Sequence, residues 1–165
     1  MAAHPHPSPP HDAASEPSDS ASLPPEPYAN GLPQDIEWRL PRHARSVGRS
    51  RVLLREQARS WRIPENTRDT AVLLLSELMT NACRHARVSP GREISARCVV
   101  RDERLRIEVS DACDDLPEPR EASADDESGR GLALVSALAD EWGAHPRSCG
   151  IGKTVWFELK LPATV

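Results

Sequence analysis

Ser76-Glu77-Leu78-Met79-Thr80-Asn81-Ala82-Cys83-Arg84-His85-Ala86 closes a long helical pattern. Ala71, Leu75, Leu78 and Ala82 recur at steps of four, three and four, which builds one apolar stripe. Glu77 and Asn81 sit four apart and off that stripe, so the carboxylate and the amide stack one turn above the other and point into the same space. Arg84 and His85 flank the same edge. One side of the helix thus carries a carboxylate, an amide oxygen, a guanidinium and an imidazole. Alone, the pattern also suits a solvated face ending in cations that favour the C-terminal dipole.

Working outward, Pro64 in the first turn, with Glu65 and Asp69 close behind, starts this helix, which is expected over about 64–86. Ser89-Pro90-Gly91 supplies the turn after it. Upstream, Val47, Leu54, Ala58 and Trp61 mark a first amphipathic helix over 43–61, studded with arginine. Ahead of that, Ile36-Glu37-Trp38-Arg39-Leu40 alternates and stops at Pro41, as an edge strand does. Residues 1–33 hold nine of the sixteen prolines and almost nothing apolar. Such a segment cannot offset its ordering entropy by burial, so a disordered tail is expected there, with a domain over 34–162.

Downstream, strands are expected over 93–101 and 105–109, joined as a hairpin by Asp102-Glu103-Arg104. Leu105, Ile107 and Val109 alternate cleanly with Arg106 and Glu108. The second strand runs into Ser110-Asp111. Residues 112–129 are poor in apolar side chains and rich in Pro, Asp, Glu and Ser, the make-up and length of a functional lid. A helix over 131–142 follows, with Leu134, Val135, Leu138 and Ala139 inward. Strands near 142–148 and 153–161 end the chain, the latter with Val155, Phe157 and Leu159 on one face. This order gives an α+β fold: a two-layer sandwich of a mixed, mostly antiparallel sheet covered on one face by about three helices.

The net charge of -4 and pI near 5.9 leave no basic footprint, so no direct nucleic-acid partner is expected. No apolar run reaches membrane length and no hydrophobic leader stands at the N-terminus; the cytoplasm is the expected compartment. Cys83, Cys98, Cys113 and Cys149 lie far apart and form no CxxC pair, so neither a zinc site nor a redox motif is written here.

Three phrases in order, Glu77 to Asn81, Val109-Ser110-Asp111 and Gly129-Arg130-Gly131-Leu132, resemble the N, G1 and G2 boxes of the GHKL (Bergerat-fold) ATPase family. DNA gyrase, Hsp90, histidine kinases and MutL share that family. The closest likeness is to its small anti-sigma-factor serine/threonine kinases. The G1 phrase departs from the best-known DxGxG form: Asp111-Ala112-Cys113-Asp114-Asp115-Leu116-Pro117 has no glycine, and is similar to the actinobacterial kinases of this type.

The resemblance implies ATP and Mg²⁺ as ligands. It implies that Asp111 accepts a hydrogen bond from the adenine amino group, that Asn81 ligates Mg²⁺, and that Glu77 serves as catalytic base. Arg84 and His85 would face the phosphates, and Gly129, Arg130, Gly131 and Leu132 would present bare backbone N–H groups to them at a helix start. Gly152-Lys153-Thr154 is not a phosphate-binding P-loop, since Arg147 stands where that motif needs glycine and a strand follows. It looks like the family's final Gly-Thr box, with Thr154 near the adenine and Lys153 incidental.

The function implied is a regulatory kinase that phosphorylates an anti-sigma-factor antagonist and sequesters a sigma factor, with a homodimer contacting through the edge strand 36–40. A binding module that uses ATP only as a conformational switch is the alternative: intact Glu77 favours transfer, whereas the glycine-free G1 loop favours the switch. An α+β interaction domain that binds no nucleotide is the third.

Overall fold

In the computed structural model the described residues are 34–85, 93–112, 127–148 and 150–163. The N-terminal tail 1–33, the turn at 89–91, most of the lid, Cys113 and Cys149 lie outside them. The elements run β1 (Asp35–Pro41), α1 (Ala44–Ser60), α2 (Glu65–His85), β2 (Glu93–Arg101), β3 (Arg104–Asp111), α3 (Glu127–Leu138), β4 (Glu141–Pro146) and β5 (Lys153–Lys160).

The strands form one sheet in the order β1-β2-β3-β5-β4, so the C-terminal strand inserts between β3 and β4. All four pairings are antiparallel, which makes the mostly antiparallel sheet expected from sequence wholly so among the described strands. Asp102 and Glu103, at φ 50 and 57, form the two-residue turn between β2 and β3. Positive φ at both positions gives the turn a twist that matches its strands.

One sheet face and one side of each helix make the core. Leu105, Ile107, Val109 and Asp111 face inward from β3 while Arg104, Arg106, Glu108 and Ser110 face out. The stripe Ala71, Leu75, Leu78 and Ala82 on α2 is buried as its spacing requires, with Val72, Leu74 and Met79 widening it. α2 is the central helix: it packs against α1, α3 and β3.

α1 ends where Arg62 turns to φ 57 and its N–H donates to the Arg59 carbonyl, while Ile63 N–H donates to Ala58. That paired closure, with Ile63 buried beneath it, aims the chain into α2.

α3 departs from the sequence expectation. It starts at Glu127 rather than at residue 131, which puts Gly129 and Gly131 inside the helix, and it ends at Leu138 instead of continuing to Trp142. Asp140 stops it: its N–H donates to the Glu158 carbonyl and its carboxylate accepts from Lys160 N–H at 2.7 Å, drawing the chain into β4. Trp142 consequently lies in the sheet. Val135 is fully buried, but Leu138, the last residue of the helix, is 44% exposed rather than inward.

The outer face of the sheet is a lattice of ion pairs. Arg106 bonds Glu108 at 2.7 Å and Glu158 at 3.0 Å, and its guanidinium carbon lies 3.9 Å from the Trp156 ring centre. Arg104 reaches Glu141 and Glu158, and Arg97 pairs with Asp35. The hydrogen bond from Arg97 holds the Asp35 carboxyl below its ordinary value.

Candidate functional site

α3 crosses α2 at Gly131, and that crossing is the centre of the site. A Cβ at Gly131 would lie 2.8 Å from Glu77 Oε2 and 3.4 Å from Asn81 Nδ2. The two side chains stacked on α2 and the second glycine of the G2 phrase are thus in contact, although some fifty residues separate them in the chain. A residue without a Cβ lets the carboxylate and the amide come this close to α3. Glu77 and Asn81 are both half-buried, at the border between core and solvent. Two hydroxyls on the same helix are satisfied within it, Ser76 donating to the Val72 carbonyl at 2.8 Å and Thr80 to the Ser76 carbonyl at 2.7 Å.

Gly129 and Arg130 fall in the first turn of α3. The residues expected at a loop-to-helix junction therefore lie within the helix's opening turn. That end of a helix is the one at which an anion is favoured. Leu132 is partly buried against the core. Arg84 is exposed at the C-terminal end of α2, and His85 is the last helical residue.

Asp111 closes β3 and is buried, 3% exposed. It continues the helix-facing row after Leu105, Ile107 and Val109, so its carboxylate stands at the end of the core beneath the helix layer. A carboxylate so buried is costly unless hydrogen-bonded or paired. Its opposite number across the ladder is Lys153, 8% exposed, with Nζ 4.0 Å from Oδ2. Lys153 is thus not incidental, as the sequence suggested, but a buried charge partner of Asp111. Lys153 shares the inward row with Val155, Phe157 and Leu159.

Thr154 by alternation lies on the other side of β5. Its hydroxyl is 2.7 Å from that of Ser110, directly opposite in register. The inward neighbour of Asp111 on this strand is accordingly Lys153, while Thr154 ties β5 to β3 on the reverse face.

Gly152 is the residue that sequence reasoning passed over. Its φ is +88, and a Cβ there would come within 1.9 Å of the Asp111 carbonyl oxygen and 2.8 Å of Ala112 Cα. The signal was present in the Gly152-Lys153-Thr154 phrase but carried no indication that the glycine packs on the G1 phrase itself.

The donor set suits the ligands that the sequence resemblance implies. Glu77 and Asn81 close directly on Gly131, where a Cβ would overlap the carboxylate, and a lone amide oxygen suits Mg²⁺, which keeps most of its water and takes further ligands from phosphates. Among the described residues no group of three or more His, Cys, Asp or Glu side chains could hold a metal alone. No helix among them is long and apolar enough to cross a membrane.

Comparison with solved structures finds the same fold in the crystal structure of the RsbU and RsbW domains of Rv1364c from Mycobacterium tuberculosis. The TM-score is 0.61 at 21% identity over 78% of this chain. This chain spans about a third of that protein's length, 33%. The histidine kinase domain of the blue-light activated histidine kinase from Erythrobacter litoralis EL346 aligns at a TM-score of 0.47 and 23% identity, covering 73% of this chain and 61% of that one. No curated protein sequence matches. The sequence pattern of the histidine kinase-like ATPase domain matches residues 40–158, which takes in α2, the end of β3, the start of α3 and Gly152: the chain belongs to the histidine kinase-like ATPase domain family.

Proposed function

We propose that this protein is an ATP- and Mg²⁺-dependent serine/threonine kinase of the anti-sigma-factor type. In this reading it phosphorylates an antagonist protein and holds a sigma factor when the antagonist is unavailable. The observation that carries the reading is the contact of Gly131 with Glu77 and Asn81, which joins a candidate base, a candidate metal ligand and the helix start that would receive phosphate.

Each residue has a distinct task. Asp111 accepts a hydrogen bond from the exocyclic amine of the base; being buried, it penalises bases that lack that donor. Asn81 offers its amide oxygen to Mg²⁺, and the first-turn N–H groups of α3 point toward the phosphates. Mg²⁺ supplies neutralisation of charge on the phosphate oxygens. Glu77 orients the attacking hydroxyl and takes its proton as the new O–P bond forms and the bond to ADP breaks. Positioning and charge neutralisation carry most of such a transfer, so the base contributes less than the clamp. The RsbW domain named in the structural neighbour supports protein partners of the regulatory kind, and the edge strand β1 offers a contact for a second copy.

The test is transfer of label from γ-labelled ATP·Mg²⁺ to purified antagonist proteins of the same organism, with phosphosite mapping. The expected result is phosphoserine or phosphothreonine that Glu77→Gln abolishes while ATP binding persists. ATP binding by the wild type without transfer to any of them would instead favour an ATP-driven binding switch.

A further inference from the structure

Asp111 and Lys153 form the last inward-facing pair between β3 and β5. The pairs behind them, Val109 with Val155 and Ile107 with Phe157, are core. The ladder therefore changes from apolar to charged where it reaches the site. Burying an ammonium beside a carboxylate costs desolvation that a hydrophobic pair of similar volume avoids, so the sheet itself gains little from this pair. Gly152 fixes the geometry: its main chain lies against the Asp111 carbonyl where a Cβ would clash, which holds the start of β5 close to the end of β3.

The chemistry of the base supplies a use for the lysine. A carboxylate accepts from the exocyclic amine of any aminated base, cytosine as well as adenine. A 6-aminopurine differs in placing a ring-nitrogen acceptor on each side of that amine, N1 and N7. An ammonium held 4.0 Å from the carboxylate is a donor for such an acceptor.

We infer that Lys153 is a second base-reading residue of the pocket. Asp111 accepts from the amine, and Lys153 donates to the adjacent ring nitrogen, so the pair reads a donor and an acceptor together. The inference rests on the ATP-binding reading above and adds a second residue to base reading.

Its test is titration of full-length protein with ATP, 1-deaza-ATP and 7-deaza-ATP, each with Mg²⁺, using the wild type and Lys153→Met. Each analogue replaces one ring acceptor by C–H and leaves the amine intact. The expected result is that one analogue binds the wild type about tenfold more weakly than ATP, equivalent to about 1.4 kcal/mol, and that Lys153→Met erases this difference. Equal wild-type affinities for all three, or a difference that survives in Lys153→Met, overturns the inference and leaves ATP binding standing. A wild type that takes up no adenine nucleotide overturns the ATP-binding reading and this inference with it. Should Lys153→Met fail to fold, Lys153→Gln takes its place with the same criteria, and equal wild-type affinities overturn the inference in either case.

Discussion

Gly152 and Asp111 meet backbone to backbone: the space a side chain at residue 152 would need is already filled by the Asp111 carbonyl oxygen, 1.9 Å from the site of a Cβ. At φ +88 the same residue is in a conformation that side-chain-bearing residues rarely adopt. Gly152→Ala is therefore expected to destabilise the fold by about 2 kcal/mol or more, since strain and a main-chain clash act together. Thermal or denaturant unfolding measures this. A melting temperature equal to the wild type's would mean that β5 can start elsewhere without cost.

Gly131 is the opposite case. Its Cβ would meet the far end of the Glu77 side chain, 2.8 Å away, and a flexible side chain can move. Gly131 is also helical, where alanine is favoured over glycine by up to about 1 kcal/mol. Gly131→Ala is expected to fold with unchanged or raised stability while losing nucleotide binding or transfer, because Glu77 and Asn81 are pushed out of place. Parallel melting and binding curves separate the two effects; loss of both together would show that the glycine is structural.

Cys98 is fully buried in β2, and burial pushes its thiol well above the ordinary value. The native state keeps this proton at pH values where the unfolded chain releases it. Its contribution is thus complete below the ordinary thiol value of 9.0 and declines as the pH rises above it. One such proton gives a slope of at most about 1.4 kcal/mol per pH unit. Denaturant melts from pH 8 to 10.5 are expected to show this fall, and Cys98→Ala is expected to flatten it. In the same range the native protein should be alkylated by iodoacetamide at half-buried Cys83 well before Cys98.

Arg106 bonds Glu108 and Glu158 and lies over Trp156. Its side chain is 29% exposed, so solvent screens only part of this network. Arg106→Leu is expected to cost about 1 kcal/mol, and the loss should shrink in high salt. A neutral outcome would assign the lattice to solubility alone.

Local periodicity made most elements legible. The stripe on α2 foretold a helix that ends within a residue of its expected bounds, and β2 spans 93–101 as read. The contacts between Gly131 and α2 lay beyond sequence reasoning, since they depend on how α3 crosses α2. The Lys153 and Thr154 assignment shows the limit most clearly. Adjacent strand residues face opposite ways, so which of the two meets Asp111 depends on a register between β3 and β5 that no local pattern encodes. α3 starts earlier than reading Gly129-Arg130-Gly131 as a loop-to-helix junction implies, and it runs through both glycines, with Gly131 close against α2.

The central claim is that a nucleotide pocket lies between Asp111 and Asn81, and calorimetric titration of ATP with Mg²⁺ into the wild type and into Asp111→Asn tests it most directly. The expected result is saturable binding that the substitution weakens by about tenfold or more, about 1.4 kcal/mol. Absence of heat and of thermal stabilisation for the wild type at millimolar ATP would contradict it.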